Sequence, residues 1–374
     1  MLLAFVSLAQ VEKVALFIIV LSILIVLHEY GHFIVARLNG VRVLEFAVGM
    51  GPKLISHRSK RSGTLYSLRA LPIGGFCQMQ GEDNKTEENE QQLAFRQSGV
   101  PDEENFQSKT TWQRLAVVVA GPFANFVLCL LILLAGGVLF GIQTDRAAAV
   151  VGPVLHGMPA DKAGIRAGDR VVAFNGTPVK GGDSLVDSIH RSRGKHITLT
   201  YVREGVTSTA ALTPIACPAK PSNGCIGFQP INVYERVPFG EAVSASFVQF
   251  ANIAVQTVGG LALILSHPVQ YAGQVSGVVG MGQAAGVIQD FGWGYYFNFA
   301  AVISFALGLF NLLPIPALDG GRLAFIVAEM VRGKPVDPEK EAMVHIAGFG
   351  VLLALMLVIN VFNAIKIVEG KGPF

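Results

Sequence analysis

The sequence predicts a polytopic α-helical membrane protein with about four transmembrane helices and one extracytoplasmic α/β domain. Three observations carry that reading. Of the 374 residues, 51% are apolar and only 15% charged, where an ordinary soluble domain is about a quarter charged; mean hydropathy is +0.50. Four apolar runs approach or exceed the roughly 20 residues that cross a bilayer as helix. Between the second and third lies a stretch of mixed pattern, punctuated by turn pairs such as Gly168-Asp169 and Asn175-Gly176. The net charge of +3 is too small to indicate nucleic-acid binding, and none is expected.

The first run, 14–38, reads as a span rather than a cleaved signal peptide, because it is too long and lacks a basic leading segment. Inside it stands His28-Glu29-Tyr30-Gly31-His32. Ionisable side chains are costly within a bilayer and mark function there. On a helix His28 and His32 share one face, one turn apart. That spacing suits two imidazole ligands on one Zn²⁺, with Glu29 beside them as a base. Residues 65–71 read as strand and Gly74-Gly75 as its breaker. The acidic stretch 82–104 reads as a solvated loop without chemistry.

The second span, 115–142, holds Asn125 as its main polar residue. Residues 147–216 read as mixed α/β. The stretch 238–267 is apolar but bears Gln249, Asn252 and Gln256 on one stripe, and reads as an amphipathic helix at the outer interface. The third span, 296–313, is stopped by Pro314 and Pro316, and the fourth is 342–361. Basic residues cluster after the first span (Arg42, Lys53, Arg58, Lys60, Arg61, Arg69) and after the third (Arg322, Arg332, Lys334, Lys340). Both segments are therefore expected on the cytoplasmic side, and the α/β domain outside.

A catalytic zinc usually needs a third protein ligand and an open position for water. Leu318-Asp319-Gly320-Gly321 would by itself be an ordinary turn. Topology gives it another meaning. The first and third spans run in the same direction, His32 lies about 9 Å of helix rise from Leu38, and Asp319 follows the Pro314 break at the same depth.

At this point the chain resembles the site-2 protease family of intramembrane zinc metalloproteases, and among them the bacterial members with a PDZ domain. The motifs that carry the resemblance are His28–His32, Phe46–Pro52, Pro72–Phe76, Gly121–Asn125 and Asn311–Gly321, in that order. The resemblance implies that His28, His32 and Asp319 bind Zn²⁺ and that Glu29 is catalytic. It also implies that Asn125 and Asn311 support the site or hold substrate backbone, and that 65–78, with Gly74, Gly75 and Phe76, forms a membrane-re-entrant β-hairpin. The segment around Ala163–Gly176 resembles a PDZ domain of the bacterial protease type, with a helix at 185–190 flanking a peptide groove. There is room for one such domain where better-known relatives carry two.

The expected organisation is thus 1–142 as the first half of the metalloprotease core and 143–232 as the PDZ-like domain. Residues 233–290 would be the interfacial helix and connector, and 291–374 the second half of the core. The expected activity is zinc endopeptidase cleavage of transmembrane segments in single-span membrane proteins, in a multi-pass protein of the bacterial inner membrane. Its partners would be those substrates, a peptide at the PDZ groove and the lipid bilayer. Two rivals are a metal transporter, which needs more ionisable residues in its spans, and an inactive scaffold, which should have lost one of His28, Glu29, His32 or Asp319. Cys217 and Cys225 flank a short loop that closes as a disulfide in an oxidising compartment or stays reduced. The remaining histidines, His345 among them, read as ordinary surface or interfacial residues.

Overall fold

A computed structural model describes residues 8–81, 102–143, 149–217, 221–231, 234–267, 277–334 and 336–368. Nearly all of the acidic stretch 82–104 lies outside the described residues. The chain divides into two units: Met1–Leu134 with Ser246–Phe374, and Ala135–Ala245.

The first unit opens with α1 (Leu8–Leu38), followed by β1 (Val43–Arg58), β2 (Leu65–Met79) and α2 (Thr111–Leu139). The β region is not the local hairpin over 65–78 that the sequence suggests. Residues 45–48 of β1 are paired on both sides: Glu45 with Leu65 and Gln78, Val48 with Leu68 and Gly75. Each long strand folds back on itself to allow this. Gly49 and Gly51, with φ of 84° and 83°, bend the first, and Gly74, with φ of 84°, bends the second; only glycine adopts that conformation without strain. Residues 75–79 become one of the two edge strands, and their outer edge faces α1.

Glycine also sets the helix contacts. A Cβ on Gly31 would run into the carbonyl oxygen of Ala120 and come within 2.8 Å of the Ala124 Cβ, so α1 and α2 touch backbone to backbone. Small residues serve this purpose wherever lipid offers helices no hydrophobic reason to associate.

The second unit is an α/β domain. It comprises β3 (Ile142–Gln143), β4 (Ala149–Val154), α3 (Pro159–Lys162), β5 (Arg170–Phe174), β6 (Thr177–Pro178) and α4 (Gly182–His190). Then come β7 (Ile197–Arg203), β8 (Val206–Leu212), β9 (Ile215–Ala216), β10 (Gly224–Cys225), β11 (Phe228–Ile231) and β12 (Tyr234–Glu235). Its main sheet runs β11-β4-β5-β7-β8, with β6 on β5, around a core that includes Val151, Val171, Leu185, Leu199 and Ile226. Asn175 and Gly176, with φ of 48° and 76°, close the β5–β6 hairpin as an Asn-Gly pair does. Asp169, 1% exposed, accepts two bonds from Arg203, each 2.7 Å. Cys217 and Cys225 are joined, with Cα atoms 5.0 Å apart.

The first unit resumes within α5 (Phe239–Ser266) and continues through α6 (Val278–Asp290), α7 (Trp293–Leu312), α8 (Asp319–Arg332) and α9 (Pro338–Val368). Among the described residues, five helices are long and apolar enough to cross a membrane: α1, α2, α5, α7 and α9. Where the sequence suggests only an interfacial helix, α5 packs Phe250, Ile253 and Ala254 against Cys129 and Leu133 of α2 and Phe305 of α7. Elsewhere it exposes Val248, Val255 and Leu265. The short α6 lies on the first half of α1, with Lys13 and Asp290 paired at 2.5 Å.

Candidate metal centre

Two helices bring the three side chains together. His28 and His32 come from α1, and both are buried. The α8 helix begins at Asp319, just past the point where α7 ends. His28 Nε2 lies 3.0 Å and His32 Nε2 3.3 Å from Asp319 Oδ2, and the two imidazole nitrogens are 3.3 Å apart. A triangle of that size suits a zinc ion held at about 2.0–2.2 Å by nitrogen and carboxylate ligands. Asp319 Oδ2 is buried and has no hydrogen bond of acceptable geometry. A buried, unsatisfied carboxylate oxygen between two imidazoles calls for a cation.

The backs of both rings are held. His32 Nδ1 lies 2.8 Å from the carbonyl oxygen of Val117. That contact fixes the proton on Nδ1 and leaves Nε2 as the acceptor for a metal. His28 Nδ1 faces the Asn125 amide, with Nδ2 at 3.1 Å, while Asn125 Oδ1 is buried without a partner. A half-turn of the amide, whose two ends have the same shape, gives the His28 Nδ1–H its acceptor and frees Nε2 in the same way. Asn125 is fully buried and is tied to α7 by the Ser304 hydroxyl, which donates to its carbonyl at 2.8 Å. Gly121 faces the rings directly: a Cβ there would overlap His32 Nε2 and stand 2.8 Å from His28 Cε1.

Glu29 lines a cavity of about 1020 Å³ together with His32 and Asp319. Its Oε2 accepts the backbone N–H of Cys77 at 3.1 Å, so the outer edge of strand 75–79 meets the carboxylate. Gly75 lets this strand lie close against 45–48, since a Cβ there would stand 2.8 Å from the Ala47 carbonyl oxygen. Phe76 also lines the cavity, with the Arg69 guanidinium 4.7 Å from its ring centre. Arg69 in turn binds buried Glu45 at 2.7 Å, as Lys53 does at 3.1 Å.

Asn311 stands apart from this cluster. It is half-buried at the last turn of α7, and it does not line the cavity. His345, read from the sequence as an ordinary surface or interfacial residue, lines the cavity and accepts the Ala317 N–H at Nδ1, 2.9 Å away. No spacing rule connects His345 to Asp319. His190 lies within ligand distance of both Cys217 and Cys225, but those sulfurs are bonded to each other.

The fold and the meeting of His28, His32 and Asp319, which could hold a metal ion, fit a membrane metallopeptidase. Residues 16–355 match the family described as Peptidase family M50. The zinc metalloprotease RasP of Geobacillus kaustophilus is 31% identical over 93% of this chain and 97% of its own. A putative zinc metalloprotease of Clostridium acetobutylicum is 33% identical over 94% and 97%. The regulator of sigma-W protease RasP of Bacillus subtilis is 29% identical, with the same coverage of 94% and 97%. The chain belongs to peptidase family M50, the site-2 protease family. It is a multi-pass membrane zinc metalloprotease of the type that carries out regulated intramembrane proteolysis. Neither the transporter nor the scaffold reading is favoured by these relatives.

Proposed function

We propose that His28, His32 and Asp319 hold the zinc, that Glu29 is the catalytic acid–base, and that the substrate is a transmembrane segment of a single-span protein. One observation carries this reading. Two imidazoles and a carboxylate nearly 290 residues apart meet within 3.3 Å, beside a glutamate in the same cavity. When bound, the zinc ion acidifies its water and polarises the scissile carbonyl. Glu29 takes the proton of the attacking water and returns it to the leaving amine. A helical substrate must first open, because its own hydrogen bonds shield the carbonyl. The outer edge of strand 75–79 compensates the lost bonds by pairing with the opened segment. Gly74 and Gly75 shape that edge, and Phe76, which lines the cavity, offers a contact to substrate.

The same reading sets topology. The ligands lie towards the C-terminal ends of α1 and α7, so both helices cross in one sense and the chain between α2 and α7 crosses an even number of times. At 13 residues, about 20 Å, α6 is too short to restore parity by itself. Four crossings (α1, α2, α7, α9) satisfy the chemistry, with α5 embedded against α2 and α7 but not delivering the chain to the cytoplasm. The PDZ-like unit then faces outward from a bacterial inner membrane, and the zinc sits towards the cytoplasmic side. In that unit, α4 packs on the edge strand β11, a geometry that accepts an extended peptide by strand addition.

Co-expression with single-span membrane proteins tests the proposal. Glu29→Gln should lower cleavage by at least about 10²-fold with zinc still bound. Substantial residual cleavage in that variant would refute the assignment.

A further inference from the structure

The α8 helix presents Asp319 from its first turn, and the segment leading into it is closed locally by one backbone bond, from the Leu318 N–H to the Ile315 carbonyl at 3.2 Å across Pro316-Ala317. Leu318 at the N-cap provides no side-chain cap. Immediately before it, Ala317 adopts φ of +75°, a left-handed conformation that residues with a Cβ avoid. Such a residue persists only where its surroundings hold it. Beside the local bond, another helix adds a hold on Ala317 itself: its N–H donates to His345 Nδ1 at 2.9 Å. Two close approaches press α9 onto the same segment. A Cβ on Gly348 would overlap Pro316, and one on Gly321 would stand 3.1 Å from His345 Cε1.

The other side of the ring shows why a histidine stands there. Because Nδ1 accepts, Nε2 carries the proton, and Nε2 is buried without a partner. A phenylalanine would keep the ring packing against Phe325, whose centre is 5.7 Å away, and would leave no unsatisfied nitrogen. The acceptor for Ala317 is the one polar bond the imidazole makes among the described residues.

We propose that His345 is a positioning residue for the metal centre: by holding Ala317 in its left-handed turn, it makes the placement of Asp319 depend on α9. The proposal deepens the zinc-ligand assignment above and rests on it.

Zinc affinity of the full chain, measured by competition with a chelator in detergent, tests it with five variants. His345→Phe keeps the ring and removes the acceptor, and should weaken zinc binding by about 10- to 100-fold, as loss of an outer support does. Excess zinc should then restore cleavage. His345→Asn, whose Oδ1 falls near the place of Nδ1, should stay close to the parent. Ala317→Gly added to His345→Phe should recover most of the loss, because glycine needs no help to adopt that φ. Unchanged zinc affinity in His345→Phe overturns the proposal, as does a double variant that recovers nothing. If His345→Phe does not accumulate, His345→Asn against His345→Gln decides, since the Gln amide reaches only the Nε2 position. Asn retaining zinc and Gln losing it supports the role, and equal affinity overturns it. Asp319→Ala separates the two levels. Full zinc there sinks the ligand assignment, whereas lost zinc there with normal zinc in His345→Phe sinks only the inference.

Discussion

The two units of this chain bury opposite things. In the PDZ-like unit, apolar side chains such as Val171, Leu185 and Leu199 are fully enclosed, and the buried charge of Asp169 is matched by Arg203. In the membrane unit, large apolar side chains such as Ile19, Leu131 and Leu357 are among the most exposed, while Asn125, His28 and His32 are buried. Water drives the first arrangement. Lipid removes that drive in the second, where helices associate through backbone contact at Gly31 and Gly308 and through polar groups such as Ser304. The lesson concerns fragility. One unit should fail by losing packing, and the other by losing a contact that a single methyl group can block.

The largest expected effects fall in the membrane unit. On the proposed assignment, Asp319→Ala removes an anionic ligand and should reduce zinc occupancy and cleavage to background, with hydrogen exchange over 149–231 unchanged. Gly121→Ala should come close to it: the new methyl group occupies the space of the His32 ring, so zinc binding should weaken at least about tenfold with little change in the amount of folded protein. Normal zinc affinity in Gly121→Ala would show that the helices yield, and the contrast between the units would lose its basis.

Effects in the PDZ-like unit should be smaller and should spare the zinc. Reducing Cys217–Cys225 opens a loop with a sequence separation of eight and should cost that unit about 2–3 kcal/mol, read as faster exchange over its sheet. The Asp169–Arg203 pair gives it an acid sensitivity. Burial works against the Asp169 charge, but the Arg203 guanidinium and the Arg166 N–H outweigh it and hold the carboxyl below its usual range. A depressed carboxylate stabilises fully above its unfolded pKa of about 3.9 and progressively less as pH falls through the folded value. Asp169→Asn should remove that component of the acid transition. An unaltered transition would show that the pair contributes nothing.

How much of this was legible in the sequence differs between the units for the same physical reason. Local rules served the PDZ-like unit: Asn175-Gly176 specified its hairpin, and the helix expected at 185–190 forms over Gly182–His190. In the membrane unit, His28, Glu29 and His32 were legible because charge inside an apolar run has few explanations, and Asp319 because topology limits where it can go. The double pairing of 45–48 was not, since strand periodicity does not say which partners share a strand. Nor were Val117, which acts through its carbonyl, Gly121, which acts by lacking a Cβ, or His345, whose partner is a backbone N–H. The span boundaries shifted slightly: α2 ends at Leu139, three residues before the expected 142. Gly141 there takes φ of 98° and Ile142 starts a strand paired with β12.

The smallest effect on activity, and the sharpest test of architecture, comes from α5. By length and composition it qualifies as a crossing, and its packing against α2 and α7 puts it among the helices that do cross. Parity opposes a complete crossing. If α5 carried the chain to the cytoplasmic face and nothing returned it, α7 would run against α1. Asp319 would then lie about 30 Å of hydrocarbon away from His28 and His32, yet they stand 3.0 and 3.3 Å from it. Ser266, the last residue of α5, is exposed and takes no part in the zinc site. Ser266→Cys, in a background with Cys77, Cys129, Cys217 and Cys225 replaced by serine, should react with an impermeant thiol reagent added outside the cell. Arg332→Cys, at the C-terminal end of α8, should react only once the cytoplasmic side is opened. Labelling of both cysteines from the cytoplasmic side alone would make α5 a true span and require a second crossing before α7, which α6 is too short to supply by itself.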